Sequence, residues 1–252
     1  MRDCRHRSAR PRLGENRRTA YLLAAALILA ACFFLAPATL AGGDFGALTD
    51  GHLVESAFRA ELVASWQSGD QTMTPGLIHL IDYWRRYHAI KIVIATALLG
   101  VLVALGISSR PRALRYVFGA LGLFALMLVM VNVQATAAPL TALLQALPMP
   151  DSAQTSRTYH EIGQALAGQR SAPVLDAMVV SFGRYHAVMA VETAVVALGF
   201  VIGSARAWRS RQCARLPGTI SALLAVGLLV ATAASTYVSQ DAASALPRYF
   251  AG

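Results

Sequence analysis

Four ionisable side chains stand inside or at the edge of apolar runs: His88, Lys91, His186 and Glu192. Glu192 lies six positions beyond His186, about 9 Å along a helix that rises 1.5 Å per residue. A carboxylate at that depth faces a bundle interior, pairs with a base or stays protonated. Lys91 is the one Lys of the chain and follows His88 by three residues in a second apolar run. With each His as zero on a wheel of 100° per residue, Lys91 falls at about −60° and Glu192 at about −120°, so both can point to one side. The pair reads either as a buried ion pair that fixes helix register or as a proton or substrate coupling site. For Lys91 alone, snorkelling to the interface is the cheapest account.

His88 and His186 share a context, Arg86-Tyr87-His88-Ala89 and Arg184-Tyr185-His186-Ala187. One reading is an interfacial anchor, with Arg86, Tyr87, Arg184 and Tyr185 at the headgroups. The alternative is a pair of axial ligands for a haem b, with the two arginines near its propionates. No further His pair or carboxylate triad accompanies them, so no metal ion and no cofactor is expected on the leading reading. Asn132, Gln134 and Thr136 end one apolar run, and Thr232, Ser235, Thr236, Tyr237 and Gln240 end another. Such groups either hydrogen-bond between helices or line a small pocket; Asn132, Gln134 and Tyr237 are the candidates for such a lining.

The elements that carry these residues follow from composition. The chain has 252 residues, of which 56% are apolar and 14% charged, the balance of a membrane protein. Five stretches reach the roughly 20 apolar residues that a bilayer core demands: Ala20 to Ala41, His88 to Ile107, Tyr116 to Ala138, His186 to Ser204, and Thr219 to Ser239. The formal charge of +9 could suggest nucleic acid, but its location argues otherwise. Fourteen of the Arg residues fall before Tyr21 or in the stretches 110–115 and 206–215. Loops so enriched mark the cytoplasmic side. The N-terminus is then inside, and the C-terminus is outside a bacterial cytoplasmic membrane. Cys4, Cys32 and Cys213 offer neither an outer disulfide nor a C-x-x-C spacing.

The first run also resembles a leader. Asn16-Arg17-Arg18-Thr19 is a loose twin-arginine pattern, and Ala36-Pro37-Ala38 is an A-x-A site, so residues 1–41 are a signal peptide or a first transmembrane helix. Pro75 to Ile107 aligns without gaps onto Pro173 to Ala205 at an offset of 98, and Gln71 with Gln169 extends the match. Each copy continues through an Arg-rich turn into a second apolar run. The expected fold is an all-α integral membrane protein, a pseudo-twofold four-helix bundle of two duplicated hairpins. Residues 42–138 and 139–252 are the two repeats. Before each hairpin lies an outer amphipathic segment, with stripes Val54, Phe58, Leu62, Trp66 and Tyr159, Ile162, Leu166. These segments lie on the membrane or cap the bundle, or act as a lid.

Trp84-Arg85-Arg86-Tyr87-His88-Ala89-Ile90-Lys91, with the leader pattern, resembles bacterial multi-pass membrane proteins grouped by a twin-arginine-type signal sequence. The resemblance implies no activity. No phosphate-binding loop, zinc-protease motif or nucleophile elbow is present, so the expectation leans away from an enzyme. It favours a bundle that binds a small ligand, a lipid or a partner subunit. Its partners are the bilayer and a membrane protein or a second copy, with no nucleic acid. The alternatives are a small transporter coupled through Lys91 and Glu192, or a haem redox subunit using His88 and His186.

Overall fold

The computed structural model describes residues 13–42, 51–69, 72–146, 153–168, 172–209 and 215–250; Cys4, Gln71, Gln169, Arg211 and Cys213 lie outside them. The elements are α1 (Leu13–Ala41), α2 (Gly51–Ser68), α3 (Pro75–Ser108), α4 (Arg112–Ala137), α5 (Pro139–Ala146), α6 (Ala153–Ala167), α7 (Pro173–Arg209), α8 (Arg215–Gln240) and α9 (Ala242–Phe250). No strand occurs among the described residues. Five helices, α1, α3, α4, α7 and α8, are long and apolar enough to cross a membrane. They coincide with the five apolar runs of the sequence, and the chain is a multi-pass membrane protein. A helix satisfies every backbone group within the segment, which hydrocarbon requires. Only 6 to 22% of each apolar window is buried within the protein, so most of that surface is left for lipid.

The helices begin and break for local reasons. Thr74 caps α3 by accepting from the Leu77 amide at 3.3 Å, and Pro75 fills the first helical position, where a missing N–H costs nothing. Pro173 starts α7 in the same way. Pro139 ends the α4 ladder, and the chain turns there into α5 with Ala142 N donating to Ala138 O at 3.1 Å. Element lengths run in a repeating order: 18, 34, 26 and 8 residues for α2 to α5, then 15, 37, 26 and 9 for α6 to α9.

Two compact units divide the chain, residues 1–37 with 91–129, and residues 38–90 with 130–252. In the first, Leu102 and Leu105 of α3 and Ala125 of α4 form a small core. Leu22 and Ala26 of α1 pack against it. Lys91 Nζ lies 4.8 Å from the centroid of the Phe33 ring on α1, a cation–π contact.

The second unit holds the larger core, and most of that core lies outside the apolar spans expected from sequence. Phe58 and Leu62 of α2, Leu77 and Leu80 of α3, Ile162 of α6 and Met178 of α7 are all fully buried there. The amphipathic stripes thus face one another, and their apolar sides are consumed by mutual packing. Leu77, Leu80 and Tyr83 belong to the same unbroken helix as the span that follows. The same is true of α7, whose 37 residues extend about 55 Å against a hydrocarbon core of roughly 30 Å. The second half of each lead-in is therefore the head of its membrane helix. α5 and α9 are additions to the sequence reading, which ended the third run in a domain boundary and left a short outer tail. Leu140, Leu143 and Leu144 of α5 and Leu246 of α9 enter the core. Gly183 of α7 lets α9 approach, because a side chain there would press on the Ala242 methyl group.

Candidate functional site

In the second unit, polar side chains at one level of α3, α4, α7 and α8 meet in pairs. His88 Nδ1 donates to Asn132 Oδ1 at 2.7 Å, joining α3 to α4. Gln134 Nε2 donates to Glu192 Oε2 at 2.7 Å, joining α4 to α7. The Thr193 and Thr232 hydroxyls lie 2.9 Å apart and join α7 to α8. Asn132 is 3% exposed and Gln134 5%, so these amides are committed to their partners. Glu192 is half-buried. Its carboxylate takes the amide hydrogen of a neutral donor, which stabilises the charge without cancelling it. Hydrogen bonding between helices accounts for these three contacts.

Rings surround His88 and His186 with the same pattern on two helices. Trp84 and His88 are 4.6 Å apart at 62°, and Phe182 and His186 are 4.6 Å apart at 68°. Tyr87 and Tyr185 lie edge-on to the histidines that follow them, at 5.2 and 5.5 Å. Each imidazole is therefore wedged between the ring one turn before it and its neighbour in sequence. Among the described residues, His186 Nδ1 is buried with no hydrogen-bond partner, and so is Trp84 Nε1. Such atoms forfeit about 1–3 kcal/mol each unless something satisfies them. Arg86 and Arg184 are exposed, while Tyr87 and Tyr185 are half-buried. The Gln145 side chain of α5 lies close to the Tyr185 hydroxyl.

The remaining candidates fall elsewhere. Tyr237 is 72% exposed and stands apart from the buried amides, as an interfacial ring would. Thr136 and Thr236 return their hydroxyls to carbonyls one turn back, at 2.8 Å each. Lys91 belongs to the other unit, over Phe33. Sequence reasoning did not anticipate Thr193, because a lone Thr in an apolar helix carries no signal until its neighbour across the interface is known. It also missed Gln145, which sits in a helix too short to show periodicity. Neither a protein-family model nor a curated protein nor a solved structure matches the chain.

Proposed function

We propose that this is a non-enzymatic protein of the bacterial cytoplasmic membrane, built from two duplicated hairpins, that binds a small ligand in the polar layer around Glu192. The Arg-rich turns lie inside, and α2, α5, α6, α9 and the C-terminus lie outside, in accord with the positive-inside rule. The repeated order of helix lengths supports the duplication, as do the matching ring geometries around His88 and His186. The observation that carries the ligand reading is the carboxylate of Glu192, held in an apolar helix by the neutral amide of Gln134. An intramembrane acid is costly and marks a functional site by default.

Native mass spectrometry of the detergent-extracted chain tests this. A bound small molecule or lipid present in the wild type and lost in Glu192→Gln, with the helical spectrum unchanged, supports the reading. Identical spectra for the two proteins would reduce the layer to interhelical fastening. A transporter would use the same carboxyl for coupling, and Glu192→Gln would then abolish pH-dependent flux in vesicles. The haem reading draws on the His88–Asn132 bond. With Nδ1 engaged, Nε2 is the nitrogen that would ligate iron, as supported imidazole ligands do. It requires a Soret band that disappears in both His88→Ala and His186→Ala.

A further inference from the structure

α6 and α9 pack against each other, and a cavity of about 510 Å³ opens between their C-terminal halves. Its walls are His160, Gln164 and Ala167 of α6 and Pro247, Arg248 and Phe250 of α9. Small-molecule sites span roughly 300–1,000 Å³, so the space is of a useful size. Its floor is tightly built. The Tyr159 and Phe250 rings meet at 5.7 Å, and Gly163 admits Phe250, because a methyl group there would stand 3.1 Å from Phe250 Cβ. Ala242 and Leu246 bury the inner face of α9, while His160, Gln164, Ala167 and Arg248 are exposed at the mouth.

Among the described residues, no carboxylate lines this cavity. Glu161, the acid beside His160, accepts from Trp66 Nε1 of α2 at 3.0 Å and is turned to that helix. Arg157 is exposed three residues before His160, and Asp241 stands seven residues before Arg248, about 10 Å along a helix. Gln164 Nε2 donates to His160 Nε2 at 3.0 Å, which leaves the ring proton on Nδ1. The formal charge on the wall is then the Arg248 guanidinium. Two partial charges oppose it. α6 ends at Ala167 and α9 at Phe250, so both helices bring their C-terminal ends, each equivalent to about half a negative charge, to the same cavity. A simple anion meets the guanidinium but also both carbonyl ends, and a simple cation meets the reverse. A zwitterion satisfies both signs, with its anionic group on Arg248, its ammonium toward the helix ends and its stem on Ala167, Pro247 and Phe250. α9 starts two residues beyond the end of α8, and its nine residues extend about 13 Å. Arg248 therefore stands close to the end of a membrane helix, where phospholipid headgroups supply that pairing of charges.

We propose that the cavity between α6 and α9 binds the phosphoethanolamine headgroup of a membrane phospholipid, with the phosphate on Arg248 and the ammonium toward the C-terminal ends of the two helices. The site is separate from the polar layer around Glu192 and does not depend on it.

The test is native mass spectrometry of the full chain in detergent, titrated with phosphatidylethanolamine, phosphatidylglycerol and phosphatidylcholine of identical acyl chains. Phosphatidylethanolamine should bind most tightly, because the glycerol headgroup brings no ammonium and the choline headgroup has no N–H to donate. Arg248→Ala should weaken its binding by about tenfold or more, as loss of hydrogen bonds to a charged group does, and should level the three lipids. Ala167→Phe should weaken it by filling the cavity. Both positions are exposed, so the helical spectrum should be unchanged. Glu192→Gln should bind as the wild type does, which separates this site from the ligand of the polar layer. Equal binding of the three lipids to the wild type, or an affinity unchanged in both folded variants, overturns the proposal. Full competition by free phosphoethanolamine assigns the cavity to a soluble solute and overturns the lipid as its occupant.

Discussion

Replacing Gln134 by Leu leaves Glu192 without its donor from α4. The bond is short at 2.7 Å, and the donor is 5% exposed, so water cannot take its place on that side. Hydrogen bonds to charged groups contribute about 1.5–3 kcal/mol in water-soluble folds. Between membrane helices the mean is about 0.6 and the maximum about 1.7 kcal/mol, because the separated helices find other partners. The coupling is set at about 1–1.5 kcal/mol, in the upper part of that range because the acceptor is a carboxyl. Single variants alone would mislead, since Leu is better accommodated by lipid than Gln is. The cycle Gln134→Leu, Glu192→Leu and the double variant cancels that gain. Reversible unfolding in dodecyl sulfate, followed by circular dichroism, supplies the four free energies. Additivity to within about 0.3 kcal/mol would show that the pair is geometrically close and energetically empty, and the argument for a committed amide would fail.

Phe58→Ala should destabilise the outer core by about 3–5 kcal/mol, because Phe58 is fully buried; a loss no greater than that of the 48% exposed Leu53→Ala in the same unfolding assay would contradict the packing. Gly76→Ala places a methyl group where the Glu61 carboxylate lies and breaks the 2.9 Å bond that Glu61 accepts from Thr74, for a loss of about 1 kcal/mol. Gly100→Ala meets open space and should gain up to about 1 kcal/mol from helix propensity, so reversal of that order in thermal unfolding would refute both. Helix α1 is expected to be retained in the mature protein, since Phe33, Ala38 and Ala41 are 5, 7 and 3% exposed and the Ala36-Pro37-Ala38 pattern lies inside the helix. An intact mass lacking the first 38 to 41 residues would overturn this.

Much of the fold was legible because hydrocarbon imposes a length on its helices. Runs of about 20 apolar residues gave five spans, and the four-residue spacing of Val54, Phe58 and Leu62 gave α2 with the correct buried face. What the lead-ins packed against was not legible, since the core joins residues as distant as Phe58, Leu144 and Met178. α5 escaped notice because its eight residues complete barely two turns. The polar layer was visible as a set of side chains at one depth, and its pairing was not. Nothing in the spacing of Gln134 says that its amide turns to Glu192, just as nothing near His88 announces Asn132.

Once that pairing is known, helix geometry explains why α4 carries two amides two residues apart. Positions 132 and 134 differ by about 200° around a helix, so the two side chains leave α4 on nearly opposite sides. Asn132 reaches α3 through His88, and Gln134 reaches α7 through Glu192. On α7 the adjacent residues Glu192 and Thr193 differ by about 100°, enough for Glu192 to face α4 while Thr193 faces α8. The result is an ordered line of fastenings, α3 to α4 to α7 to α8, all at one level. Within it only one member is a carboxyl in an apolar span, Glu192. The others could be exchanged for any donor–acceptor pair of similar reach with little electrostatic consequence, whereas interhelical fastening alone would be served as well by Gln at position 192. A carboxyl there costs more to place in the membrane than the amide would, and that excess is the physical reason to look for function at Glu192 rather than at the neutral pairs beside it.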